Sequence, residues 1–326
     1  MTPAVREGEH RTLPLPLGLF LALVAGSAMP LQGRINGALG EELGSGIGAA
    51  VVSFGVGLLV LTVVILVLPV GRRGLREMPG HVRAGRFPWW YMLAGAFGAF
   101  FVLSQGLVVT FLGVALFTVA NVAGQIGSGL LVDRIGFGPG GPRPVSTARL
   151  VGALLALAGV VWVVWPTLAE RGVAFAVVGP MLMPLVAGLL MGFQQAMNGV
   201  QTRHYGNPLP ATFFNFLIGT IALVATYLVM LPFAGPAGDL PSVWWMYIGG
   251  PLGIVFIAAG AVLVRLLGVL VVSLGLIAGQ LLGSLAIDAL APVPGSTVSA
   301  TTVLGTLVAL VAVVIAAAPR SGLKFR

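Results

Sequence analysis

Residues 25–57 read AGSAMPLQGRINGALGEELGSGIGAAVVSFGVG, and residues 187–219 read AGLLMGFQQAMNGVQTRHYGNPLPATFFNFLIG. In register, Ala25, Gly26, Met29, Gln32, Asn36, Gly37, Gly44, Ala49, Phe54 and Gly57 recur as Ala187, Gly188, Met191, Gln194, Asn198, Gly199, Gly206, Ala211, Phe216 and Gly219, always 162 residues on. Each copy carries a Gln and an Asn at helical i,i+4 spacing inside a glycine-rich apolar segment, so fold and site were duplicated together.

The duplication continues past this motif at an offset of 155. Trp89-Trp90, Gly95, Gly98 and Phe101 match Trp244-Trp245, Gly250, Gly253 and Phe256. Gly113, Gly124, Gln125 and Asp133 match Gly268, Gly279, Gln280 and Asp288. The smaller offset reflects loop length, because Gly71–Arg86 has only the shorter Ala234–Ser242 opposite it.

Composition places both copies in a membrane. The 326 residues are 58% hydrophobic and 8% charged, against about 25% charged in a soluble globule, and mean hydropathy is +1.05. Apolar runs bounded by charge, Gly or Pro predict ten spans: Leu15–Gly37, Gly46–Val70, Pro88–Val108, Leu112–Val132, Leu150–Pro166, Val178–Val200, Leu209–Phe233, Val243–Val264, Leu267–Ile287 and Thr301–Ala318. The turn Thr110–Gly113 is short enough to require a tight hairpin. The run from Leu15 is read as a first span and not a secretory signal, since its distinctive part reappears deep in the chain.

The fold expected is therefore an all-α membrane protein of ten transmembrane helices, a first five-helix repeat over residues 1–170 and a second over 171–326. An odd number of spans per repeat inverts one copy relative to the other. Charge agrees: with both termini cytoplasmic, all of the 17 Lys and Arg except Arg34 and Arg171 fall inside, while Glu41, Glu42, Glu170, Asp239 and Asp288 fall outside. The basic loop Gly71–Arg86 reads most simply as a topological determinant, with anionic-lipid or partner binding the alternative.

Several chemistries are excluded. There is no Cys, and His10, His81 and His204 are scattered. No nucleophile elbow, P-loop, HExxH or pair of intramembrane carboxylates is present, so the chain does not read as an enzyme, and no cofactor or metal is expected. The basic balance has its cause in topology, so nucleic acid is not a partner.

Amides remain. Gln32 with Asn36, Gln194 with Asn198, and Asn121 with Gln125 each share a helix face, and Gln280 lies near the middle of the ninth span. Such groups would bind a small polar solute in a cavity, or bond across helices as structural glue. Asn121, Gln125 and Gln280 are expected near the midplane, with Gln32 and Gln194 toward opposite faces. Arg34 is expected as an interface residue paired with Glu41 or Glu42, or as a gate. Asp133 and Asp288 are expected as helix-end or gating residues close to water.

The pattern Ala25-Gly26, Gln32, Asn36-Gly37, Gly44, Ser53-Phe54, Gly57, with its reprise through Asn215-Phe216 and Gly219, resembles the YdcZ-like inner-membrane exporter family of the drug/metabolite transporter superfamily. The resemblance covers nearly the whole chain as two tandem family units. It implies a ten-helix inverted-repeat fold and a multi-pass location in the plasma (inner) membrane. The superfamily's small multidrug transporters use a glutamate in their first helix; neither Leu15–Gly37 nor Val178–Val200 contains an acidic residue, which argues against proton-coupled export of cationic drugs. The function expected is secondary transport of a small polar or amphipathic metabolite by alternating access. The alternative is a non-transporting membrane subunit or lipid-handling protein. The partners expected are the lipid bilayer and a small-molecule substrate, with a homodimer left open.

Overall fold

A computed structural model of the chain describes residues 14–138, 141–142, 144–171, 175–267, 269–292 and 298–317. The charged ends Arg6, Arg11, Arg320, Lys324 and Arg326, and the loop residue Arg143, lie outside the described residues. The described residues contain helices and no strand: α1 Leu15–Glu42, α2 Gly46–Val67, α3 Pro69–Arg83, α4 Ala94–Leu112, α5 Val114–Ile135, α6 Thr147–Arg171, α7 Phe175–Tyr205, α8 Leu209–Ala234, α9 Gly249–Leu267, α10 Val269–Leu290 and α11 Ala300–Ala317. Among them, seven are long and apolar enough to cross a membrane, and 147–163, 249–260 and 300–316 are shorter apolar helices.

Local chemistry sets the boundaries. Pro14 and Pro16 open α1, Gly44 at φ +56° ends its last turn, and the Ser45 hydroxyl accepts the Gly48 N–H at 3.1 Å to cap α2. A single residue, Gly113 at φ +80°, joins α4 to α5, as the expected hairpin requires. Trp89-Trp90 and Trp244-Trp245 each open a 3₁₀ turn leading into α4 and α9. Trp89 and Trp244 are 65% and 74% exposed, as rings anchored in a membrane interface would be.

One segment differs from expectation. The basic stretch read as a loop is largely the amphipathic helix α3. Its Gly71 and Gly74 sit against Ile65 of α2 and Pro210 of α8, Met78 and Val82 pack on a cluster containing Phe87, Tyr91 and Tyr205, and Arg72, Arg73, Arg76 and Arg83 face outward.

The two copies pack on each other reciprocally. Phe54 of α2 and Phe216 of α8 stack with ring centroids 4.9 Å apart. A Cβ on Gly57 would strike the Phe216 ring, and one on Gly219 the Phe54 ring. α1 crosses α10 where Gly26 meets the Leu276 carbonyl and Gly279 the Leu23 carbonyl. α7 crosses α5 at the equivalent Gly188 and Gly124, which meet the carbonyls of Asn121 and Leu185. Without a hydrophobic drive between helices in lipid, such backbone contact is what dispersion can use.

Candidate functional site

A cavity of about 490 Å³ lies among α1, α2, α4, α7, α8, α9 and α10, inside the range typical of small-molecule sites. Its walls are built from repeat-related pairs: Met29 and Met191, Gln32 and Gln194, Phe54 and Phe216, Gly98 and Gly253, Phe101 and Phe256. The missing side chains at Gly98 and Gly253 make room for the amides of Gln194 and Gln32, which lie directly against them. From the Phe54–Phe216 pair the cavity runs toward Thr202 and Pro208 at the turn between α7 and α8. Gln195 and Ser273 on its wall are exposed, so this end communicates with the exterior.

The lining is apolar with convergent hydrogen-bonding groups, and among the described residues no Asp, Glu, Lys, Arg or His belongs to it. Gln194 Nε2 donates to Asn215 Oδ1 at 3.0 Å. Gln32, 3% exposed, keeps Oε1 without a partner, as does Asn198 at Oδ1. A buried acceptor left unpaired costs about 1–3 kcal/mol, so these oxygens favour a solute bringing N–H or O–H donors.

The opposite end is shut. A Cβ added to Gly40 or Gly46 would lie 2.7 or 2.6 Å from the Gly106 carbonyl oxygen, so α1, α2 and α4 meet backbone to backbone. Just inside, Asn36 Nδ2 donates to Gln105 Oε1 at 2.9 Å and Gln105 Nε2 to the Met29 carbonyl at 3.4 Å.

The structure thus divides the expected amides. Gln32, Gln194 and Asn198 line the cavity; Asn36 is fully buried and bonded to Gln105. Asn121 and Gln280, expected at the centre, instead line a separate void of about 10 Å³ with Gln105 and Thr118, room for about one water. Gln125 lines neither space, and its Nε2 is buried without a partner. The crossings at Gly124 and Gly279 explain this: they turn α5 and α10 so that this face meets a neighbouring helix.

Two of the helix-end residues differ from expectation, Arg34 in its partner and Asp288 in its burial. Arg34 Nε donates to the Ala291 carbonyl at 3.2 Å, beyond the end of α10, and not to Glu41 or Glu42; a cation there is favoured by the exposed carbonyls of a helix C-terminus. Asp288 is buried at 7% exposure, away from water, and accepts the N–H groups of Val114 and Ala115. Asp133 is half-buried and pairs with Arg149 at 2.5 Å.

Sequence reasoning missed Gln105, Gln195, Thr202, Thr212, Asn215 and Ser273 as polar groups at or beside the cavity. Asn215 stands beside the repeated Phe216 in the family pattern, with no site role assigned to it there. Gln105 aligns with Gly260, so a search for repeated amides passes over it.

The family described as "Putative inner membrane exporter, YdcZ" matches residues 17–162 and, separately, 179–315. The chain belongs to the YdcZ inner-membrane exporter family. Two tandem YdcZ units account for the two sets of reciprocal contacts, one unit running from α1 into α6 and the other from α7 into α11. No curated protein matches the chain. A solved structure described only as "Crystal structure of protein" is similar over 93% of this chain and 96% of that one, at 19% identity and a TM-score of 0.50, a likeness of fold alone.

Proposed function

We propose that this YdcZ-family protein is a secondary transporter of a small, uncharged amphipathic solute, working by alternating access of two inverted five-helix repeats in the inner membrane, with both termini cytoplasmic. The observation that carries the reading is an asymmetry between equivalent residues. Asn36, Gln105, Gly40 and Gly46 are packed together at one end. Their counterparts Asn198, Gly260, Thr202 and Pro208 all line the cavity at the other. Exchange of these two environments between the repeats would close the present mouth and open the other side, the behaviour expected of inverted repeats around a central site.

The absence of charge among the described lining residues supports a neutral solute, because burying an unpaired charge against apolar walls is costly. The Phe pairs and Met29 with Met191 would hold its apolar part, and Gln32, Gln194 and Asn198 its hydroxyl or amide groups. The family description supports export as the direction.

The test is a thermal-shift screen of neutral metabolites on purified protein, followed by uptake into liposomes. A ligand that binds only the native state raises its stability. The reading expects a hydroxyl- or amide-bearing solute to emerge, and fails if only ions or lipids stabilise the protein.

A further inference from the structure

A second concave site, outside the cavity, is formed where α3 meets the end of α7. It has a volume of about 600 Å³ and is lined by Arg76, Glu77, Gly80, His81, Arg86 and His204. We propose that it binds a phosphate-bearing anion, with the headgroup of an anionic phospholipid as the occupant the geometry favours.

Charge is the first argument. Two arginines and two imidazoles surround one carboxylate, and that carboxylate is engaged, since Glu77 Oε1 accepts from Arg73 Nε at 2.8 Å. Arg76 takes part in neither ion pair found among the described residues. Arg86 Nη1 stands 3.1 Å from His81 Nδ1, and the His81 and His204 rings are 6.4 Å apart. Burial first, then Arg86 and His204, hold the His81 pKa below its ordinary value, against the opposing pull of Glu77. The two guanidinium groups therefore carry the site's positive charge, and guanidinium forks match the geometry of a phosphate's oxygens.

Position is the second. α2 ends in Leu66, Val67 and Leu68, each 41% exposed or more, as side chains facing lipid are. Arg72 Nη1 donates to the carbonyls of Leu66 and Val67 at that end. α3 follows at once, apolar on its inner face and basic outside, the pattern of a helix lying in a membrane interface. The pocket therefore sits at headgroup depth, where anionic lipid attracts basic segments. His204 ties it to the end of α7, two residues from Thr202 at the cavity mouth.

The experiment is thermal unfolding of the purified full chain in a neutral detergent, with phosphatidylglycerol, phosphatidylcholine or inorganic phosphate added. Phosphatidylglycerol is expected to raise Tm by roughly 2–4 °C, and phosphatidylcholine to leave it unchanged. Arg76→Gln, which breaks no ion pair, should fold and lose most of the shift; Arg83→Gln, outside the pocket, should keep it. An equal shift with inorganic phosphate would still support the site, as one for soluble anions. A full shift in Arg76→Gln, or an equal loss in Arg83→Gln, would overturn the proposal as general surface attraction.

Discussion

The carboxylate of Asp288 accepts the backbone N–H groups of Val114 at 2.9 Å and Ala115 at 2.7 Å, so the last turn of α10 caps the first turn of α5. The α5 dipole adds to these charge-assisted bonds. Asp133, the same residue in the other repeat, is bound to Arg149 instead. Equivalent aspartates thus have different partners, one capping a helix and the other in an ion pair.

This contrast predicts unequal mutational costs. Asp288→Ala removes a buried cap, and should lower stability by about 1–2 kcal/mol. Asp133→Ala removes a half-buried pair and should cost about 0–1 kcal/mol. Thermal unfolding of the two variants gives the comparison, and equal losses would contradict the structure's asymmetry.

The amides separate in the same way. Gln105→Leu strands the buried Asn36 amide and should cost about 1–3 kcal/mol in stability, with solute affinity nearly unchanged. Gln32→Leu removes a group whose oxygen has no partner in the protein, so it should leave Tm close to wild type and weaken binding. Titrating a stabilising solute against both variants would show whether the effects fall on the expected side.

Much of this arrangement was legible in the repeat. Met29, Gln32, Phe54 and their copies were marked by recurrence alone, and all line the cavity. The central amides were misplaced because spacing fixes depth along a helix but not the direction a face turns; that was set by the glycine crossings of α5 with α7 and α10 with α1. α3 escaped notice because Gly71, Gly74, Pro79 and Gly80 look like breakers, yet its glycines are where it docks, and Leu75, Met78 and Val82 carry the helical spacing that would have revealed it. The buried state of Asp288 could not be read from a position at the end of an apolar run, since its partner lies 174 residues away.

The proposed orientation makes a separate prediction. In a chain without native cysteine, Arg73→Cys should stay unlabelled by an impermeant thiol reagent in intact cells, and Asp239→Cys should be labelled. Labelling at position 73 would invert the topology and place α3 outside.

Transport around the cavity is tested most directly by counterflow in proteoliposomes, using the neutral solute that most raises Tm. The wild-type protein should exchange labelled for unlabelled solute saturably. Gln32→Leu and Gln194→Leu should each reduce exchange by about tenfold or more, in line with about 1–3 kcal/mol of lost hydrogen bonding. Exchange no faster than in protein-free liposomes, or undiminished exchange in both variants, would contradict a transport site between the two repeats.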